Sequence, residues 1–224
     1  MRENLVLYTK FDDAAEEEYL AAAYRLLPAD FREENERFLR AQDRRNRAAV
    51  RLLAACGLQL LGFSARGVLQ SPCKDAAGRP FLPEGGGDVN WTHAGALAAA
   101  AVSAGARVGI DAEALRELSA DDYIAAFTAG EAARIRASAR PSRELLRLWT
   151  RKEALLKAFG SGLLREPSAV EVLTRAVSVG GRRFFIDELA LEEGYTVHAA
   201  SNRDVPFKVM RVEARQLFRL DARL

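Results

Sequence analysis

The period of the apolar positions changes along the chain in a readable order. Residues 4 to 9 (Asn-Leu-Val-Leu-Tyr-Thr) form a short β-prone run, and from Asp12 the pattern turns helical. Asp12, Asp13 and Glu16 to Glu18 stand at the end where a helix dipole favours anions. Pro28 breaks that helix. A charged stretch from Asp30 gives way to a long helix with the apolar series Val50, Leu52, Leu53, Leu60 and Leu61, stopping between Gly62 and Gly67. Lys74 to Asp88, rich in glycine and carrying Pro80 and Pro83, is predicted as loop. After Val89 to Gly95 comes the alanine run Ala96 to Ala106. Propensity favours a helix there, while the short distance from Gly95 to the Gly105-Ala106 turn equally suits a strand in a hairpin with residues 107 to 112.

Beyond Glu113 three helix starts follow: Ser119-Ala120-Asp121-Asp122, the capping box Thr128-Ala129-Gly130-Glu131, and Pro141-Ser142-Arg143-Glu144. The last helix spans about 143 to 159 and stops at Phe159-Gly160-Ser161-Gly162. From Ala169 the chain alternates as strands (169–173, 176–179, 183–186, 196–200 and 207–213), with Gly180-Gly181 as a hairpin turn. The C-terminal part is therefore predicted as mostly antiparallel sheet.

Composition narrows the class. The 224 residues suffice for one large domain or two small ones, and 49% apolar with 29% charged side chains describes a folded protein. A formal charge of +2 argues against bulk nucleic-acid binding, which needs many phosphates neutralised at once. No run reaches the roughly 18 apolar residues of a membrane span, and Met1 to Phe11 has no signal-peptide core, so a cytoplasmic location is expected. Cys56 and Cys73 fit no metal spacing and would stay reduced there.

Two segments carry candidate chemistry. On a strand, Asp111 and Glu113 of Val108-Gly109-Ile110-Asp111-Ala112-Glu113 point the same way, and like charges that close call for a cation. Oxygen donors without nearby His or Cys suit a magnesium-type ion, although two solvated turn carboxylates would look the same. On a helix over 145–159, Leu145, Leu148, Trp149, Leu156 and Phe159 make an apolar stripe with Lys152 in its middle. A buried ammonium needs a carboxylate or an anionic ligand, unless its stem snorkels to water. Glu153 and Lys157 flank the stripe four residues apart, as a site pair or as an ordinary surface ion pair. Upstream, Arg37, Arg40, Arg44, Arg45, Arg47 and Arg51 read either as a solvated helix face or as an anion-binding rim.

The order Gly78-Arg79-Pro80-Phe81-Leu82, Asn90-Trp91-Thr92-His93, Val108-Gly109-Ile110-Asp111-Ala112-Glu113, Phe127-Thr128-Ala129-Gly130-Glu131 and Trp149-Thr150-Arg151-Lys152-Glu153-Ala154-Leu155-Leu156-Lys157-Ala158-Phe159-Gly160-Ser161-Gly162 resembles the surfactin-type 4'-phosphopantetheinyl transferases. The likeness is close over about 78 to 164 and loose on the flanks, and it favours the hairpin reading of the alanine run. It implies an α+β fold of two pseudo-twofold halves, 1–113 and 114–224, each a small mostly antiparallel sheet packed on a long helix, with the site between them. It implies transfer of the phosphopantetheine arm of coenzyme A to a serine of an apo acyl or peptidyl carrier protein, releasing adenosine 3',5'-bisphosphate, by a monomer whose halves imitate a dimer.

Residue by residue, the resemblance makes Asp111, Glu113 and Glu153 ligands of Mg2+, Lys157 the lysine on the attacked phosphate, and Glu131 a general base. Glu131 also reads as the third residue of the capping box, and a metal-bound water competes for the base role. Thr92 and His93 match residues that hold coenzyme A phosphates, Arg79 replaces a usual lysine, and Lys152 borders the same site. The family arginine expected three residues after Asp43 is here Asn46, between Arg45 and Arg47. One position rotates a helical side chain by about 100°, so only one of those two faces the cleft, Arg47 being the better placed beside Arg44 and Arg51. Exposed Arg40, Arg44 and Arg151 would steer an acidic carrier. Two other classes compete: a catalytically silent coenzyme A or carrier-protein binding module, disfavoured by the intact Asp111, Glu113, Glu153 and Lys157, and a nucleic-acid binder, disfavoured by the absence of interleaved aromatics.

Overall fold

The computed structural model describes residues 3–12, 16–70, 73–74, 79–82, 87–160 and 166–217. The first apolar run is β1 (Asn4–Lys10), buried along nearly its whole length. An uninterrupted apolar strand needs cover on both faces. Leu5 and Leu7 enter one core, whereas Val6 and Tyr8 enter another. After α1 (Glu16–Leu26) and Pro28, α2 (Ala29–Glu36) leads to the long α3 (Ala41–Leu60), with a short α4 (Arg66–Leu69) behind it. Within the predicted loop lies a minimal ladder of β2 (Cys73–Lys74) and β3 (Pro80–Phe81).

β4 (Asp88–Ala94) turns at Gly95, which has φ +52°, into β5 (Leu97–Ser103). The alanine run is thus a strand, but its hairpin partner is β4 and its other neighbour is β1. The predicted pairing with residues 107 to 112 does not form. Tertiary context overrides helix propensity here because small side chains suit both faces of β5. Ala98 and Ala100 lie under α3, while Ala99 and Ala101 meet the second sheet. The approach of α3 is close: a Cβ on Gly57 would meet Val102 at 2.7 Å.

β6 (Val108–Ala114) opens that second sheet and pairs with β9 (Tyr195–Ser201), followed by β8 (Arg182–Glu188) and β7 (Ala176–Val179), all antiparallel. Between β6 and β7 run 3-10 turns at 120–122 and 124–126, then α5 (Ala129–Ala137) and α6 (Pro141–Phe159). Only two α-helices therefore occupy the stretch predicted to hold three. Residues 169–173 form no strand: a 3-10 turn at 167–169 precedes an irregular segment whose backbone is bonded by side chains. β10 (Phe207–Arg211) leaves the second sheet and lies parallel to β1, giving a first sheet of order β10-β1-β5-β4. A short α7 (Ala214–Leu217) ends the described chain.

The layers run α3, first sheet, second sheet, α6, an α+β architecture in which each sheet carries one long helix on its outer face. Val6, Leu97 and Ala101 meet Ile110, Val197 and Ala199 between the sheets. Gly109 faces α6, where a Cβ would stand 2.1 Å from the Ala154 carbonyl oxygen, so the glycine allows strand and helix to touch. No helix among the described residues is long and apolar enough to cross a membrane.

Candidate active site

Period two puts Asp88, Asn90 and Thr92 of β4 on one face, directed at β6, the edge strand of the second sheet. An edge strand has N–H groups without ladder partners. Asp88 Oδ2 accepts from Val108 N–H (2.7 Å) and Asn90 Oδ1 from Ile110 N–H (2.9 Å). Thr92 Oγ1 then donates to Asp111 Oδ1 at 3.3 Å. These bonds close the seam between the sheets. At its end opens a cavity of about 440 Å³, walled by Phe31, Arg47 and Arg51 from the α2–α3 side, Thr92 and His93 from β4, Asp111 and Glu113 from β6, and Lys157 from α6.

Asp111 is 7% exposed. Burial pushes its carboxyl above the ordinary carboxylate range, the Lys157 charge and hydrogen bond oppose this, and Glu113 adds to the rise. Lys157, in the last turn of α6 where a cation is favoured, donates Nζ to Asp111 Oδ1 (2.6 Å) and to the Ile110 carbonyl (3.1 Å). Glu113 pairs with Arg116 at 2.7 Å. Glu153, one turn before Lys157, is half-buried and also pushed upward, first by burial and then by the charge of Asp111, with Glu113 contributing. Among the described residues no hydrogen bond or ion pair satisfies its carboxylate.

The expected trio thus share one electrostatic neighbourhood. As hard oxygen donors they suit a divalent cation, and the Lys157 ammonium already stands in as the positive charge on Asp111. Among the described residues, however, no three His, Cys, Asp or Glu side chains gather into a metal-holding group.

Glu131 and Lys152 lie elsewhere. Both side chains are fully buried, with Nζ 2.7 Å from Glu131 Oε2. The capping box forms as the spacing predicts: Thr128 N–H donates to Glu131 Oε2 (2.8 Å), while Glu131 N–H donates to Thr128 Oγ1 (3.3 Å). Glu131 Oε1 accepts from Val172 N–H at 2.8 Å. Lys152 also donates to the carbonyls of Pro167 (2.9 Å) and Val170. Both oxygens of Glu131 are engaged and neither residue lines the cavity. The resemblance makes Glu131 the acceptor of the serine proton and Lys152 a neighbour of the ligand; in this structure the two side chains meet each other between α5 and α6. The counter-charge demanded by an ammonium in an apolar stripe is Glu131.

The arginines divide likewise. Arg79 pairs with Asp88 (Nη1 at 2.9 Å) and donates to the carbonyls of Lys157 (Nε, 3.0 Å) and Val108 (Nη2, 3.0 Å). It clamps β4, β6 and the end of α6 together instead of facing the cavity, and Gly78 lies outside the described residues. Arg45 is buried with its guanidinium 4.2 Å from the Phe11 ring centroid. Arg47 is the one that reaches the cavity, held by Glu34 (2.8 Å) and Asn35 Oδ1 (3.1 Å). Asn46 is buried and donates to the Gly95 carbonyl at 2.8 Å. His93 sits at the rim. Desolvation lowers its pKa, Asp43 opposes this, and the Lys157 and Arg47 charges reinforce it.

Arg151 is not an exposed steering group: it is buried, donates to the carbonyls of Val172 (2.8 Å) and Thr174 (2.7 Å), and desolvation brings it down to about 10. The cavity wall also includes Phe31 and Glu34, which no motif singled out, and Trp91, which belongs to the Asn90-to-His93 motif but was given no role. The one signal for Phe31 was its position as an isolated apolar residue in a charged stretch just after Pro28.

Residues 107–207 match the family model of the 4'-phosphopantetheinyl transferase superfamily. The matched segment runs from the start of β6 to the first residue of β10, so it carries Asp111, Glu113, Glu153 and Lys157 but not the α3 and β4 walls. Phosphopantetheinyl transfer is the activity class of that superfamily. No curated protein matched the chain.

Proposed function

We propose that this protein is a surfactin-type enzyme that transfers the phosphopantetheine arm of coenzyme A to a serine hydroxyl of an apo acyl or peptidyl carrier protein. One observation carries the reading: a single cavity sets the carboxylates Asp111 and Glu113, with Lys157, at one wall and the cations Arg47 and Arg51, with the His93 ring, at the other. In the reaction the serine oxygen bonds to the β-phosphorus, the bridging P–O bond to the α-phosphate breaks, and adenosine 3',5'-bisphosphate leaves with the electron pair. Such transfer depends mainly on positioning and on neutralising the nonbridging oxygens.

Asp111, Glu113 and Glu153 would hold Mg2+, which supplies charge neutralisation at the diphosphate when bound. Lys157, pointing into the cavity from the end of α6, puts its ammonium on the same phosphates. Thr92 keeps Asp111 oriented through its hydroxyl, and the seam from Asp88 to Thr92 fixes β6 against β4 so that both walls hold their spacing. The acceptor of the serine proton lies among groups that face the cavity, which Glu131 does not.

The decisive experiment incubates the protein with coenzyme A, Mg2+ and a panel of apo carrier proteins and reads intact mass. A gain of the phosphopantetheine mass on a carrier, with release of adenosine 3',5'-bisphosphate, is expected. Coenzyme A binding without any gain would return the silent-module reading. At the level of residues, Glu153→Gln is expected to cut transfer by at least about 100-fold while leaving the unfolding midpoint within a few degrees, because among the described residues no hydrogen bond or ion pair holds the carboxylate. Wild-type turnover in that variant would remove Glu153 from the site.

A further inference from the structure

Two threonines border β6, and their hydroxyls are met differently. Thr92, on β4, donates Oγ1 to Asp111 at 3.3 Å. Thr196, on β9 at the other side, is 7% exposed, and among the described residues its buried Oγ1 has no hydrogen-bond partner. A hydroxyl taken out of water and left unbonded costs stability.

The ladder identifies its neighbour. Thr196 stands directly opposite Glu113 in the antiparallel pairing of β6 with β9, whereas β8 ends at Glu188, opposite His198 and two residues short of Thr196. Within the sheet Thr196 therefore has one cross-strand side chain beside it, that of Glu113, at the usual Cβ spacing of about 5 Å. Both lie on the face turned to α6. Gly109, in step with Glu113, touches Ala154 and Ala158, and His198, in step with Thr196, meets Thr150. Glu153 lies on that helix between Thr150 and Lys157.

Glu113 is turned toward Arg116, whose side chain is 51% exposed. An ion pair so open to water contributes little, so a cation that draws the Glu113 carboxylate toward Asp111 has little to overcome. A carboxylate that ligates a metal also needs a hydrogen-bond donor behind it to fix its orientation. On the β9 side, the unbonded hydroxyl of Thr196 is that donor.

We propose that Thr196 is a positioning residue for Glu113, its hydroxyl donating to that carboxylate once a divalent cation is held, as Thr92 donates to Asp111. The two strands beside β6 then supply one hydroxyl for each of its carboxylates. The inference rests on the reading of Asp111, Glu113 and Glu153 as cation ligands.

Titration of the full chain with Mn2+, followed by the electron paramagnetic resonance signal of the unbound ion, tests this together with denaturant melts in chelator. Thr196→Val removes the hydroxyl at nearly constant volume. It is expected to weaken Mn2+ binding by about 10-fold, the scale of an outer hydrogen bond on a metal ligand. Its unfolding midpoint in chelator is expected at or above that of the wild type, because no hydrogen bond is lost without the ion. Thr196→Ser restores the donor and is expected to bind Mn2+ within about threefold of wild type. A threonine with a merely structural role would move the melt and leave the titration unchanged. Wild-type Mn2+ affinity in Thr196→Val overturns the inference and leaves the carboxylate reading intact. A lowered midpoint in chelator, or failure of that variant to fold, overturns it as well, since the hydroxyl would then be bonded without the ion. A wild type that binds no Mn2+, or a Glu153→Gln variant that binds it equally well, ends the carboxylate reading and the inference with it.

Discussion

His198 shows what a titratable side chain does when no site recruits it. It is 0% exposed on β9, with Nδ1 2.8 Å from the Thr150 hydroxyl. The same hydroxyl donates within its helix to the Leu146 carbonyl at 3.0 Å, and the Glu188 carboxylate lies 3.8 Å from Nε2 on the other side of the ring. Burial lowers the pKa of the ring, the charges of Arg147 and Arg151 add to this, and Glu188 opposes it. A histidine held neutral in the fold takes up its proton more readily when unfolded. Its contribution to stability is therefore complete above the ordinary value of about 6.5 and declines as pH falls through it, by at most about 1.4 kcal/mol per pH unit. Denaturant melts of wild type and His198→Asn between pH 8 and 5 are expected to converge toward acid. Parallel curves would mean that the ring binds its proton equally well in the folded and unfolded chain. At this scale the types of the site residues were legible from sequence but their orientation was not. Arg45 and Arg47 differ by two positions, and only packing on Phe11 or contact with Glu34 decides which faces the cavity.

At the scale of elements Glu131 and Lys152 join two helices. Their motif spacing is a packing requirement: the N-terminus of α5 is tied to the middle of α6 and to the irregular backbone at 167–172 through one buried ion pair. Breaking one side leaves the other charge buried alone, which costs about 3–5 kcal/mol. Lys152→Met is expected to lose stability on that scale. Glu131→Gln is expected to lower the melting midpoint, while turnover per folded molecule stays within about threefold of wild type. A stable Glu131→Gln protein with turnover down a hundredfold would restore the base role. The strands β1, β4, β7, β8 and β9, the capping box and the long α3 and α6 all follow from periodicity and punctuation, since those signals are local. The pairing of β5 with β1 and the parallel return of β10 are not local. They depend on which faces alanine can cover and on an unpaired edge more than a hundred residues away, and neither leaves a mark on residue spacing.

Across the whole molecule the two sheets are interlaced rather than stacked end to end. β10 lies on β1 in the register Asn4↔Phe207 to Tyr8↔Arg211, and Asn4 Nδ2 also donates to the Val205 carbonyl at 2.9 Å. The chain therefore crosses between the sheets twice, once at the Gly105-Ala106 turn and once ahead of Phe207. Severing the first crossing would leave a fragment 1–105 that still grips fragment 106–224 by its last strand. Two such pieces, made together in one cell with an affinity tag on only one of them, are expected to emerge as a stoichiometric pair that binds adenosine 3',5'-bisphosphate. Shortening the second piece to end at 206 removes β10 and is expected to weaken the pair, leaving the seam between β4 and β6 and the core between the sheets to hold it. Independent, soluble pieces with no tendency to join would contradict the strand crossing. The architecture thus makes this chain a ready scaffold for a two-part reporter, in which reassembly and ligand capture become the same event.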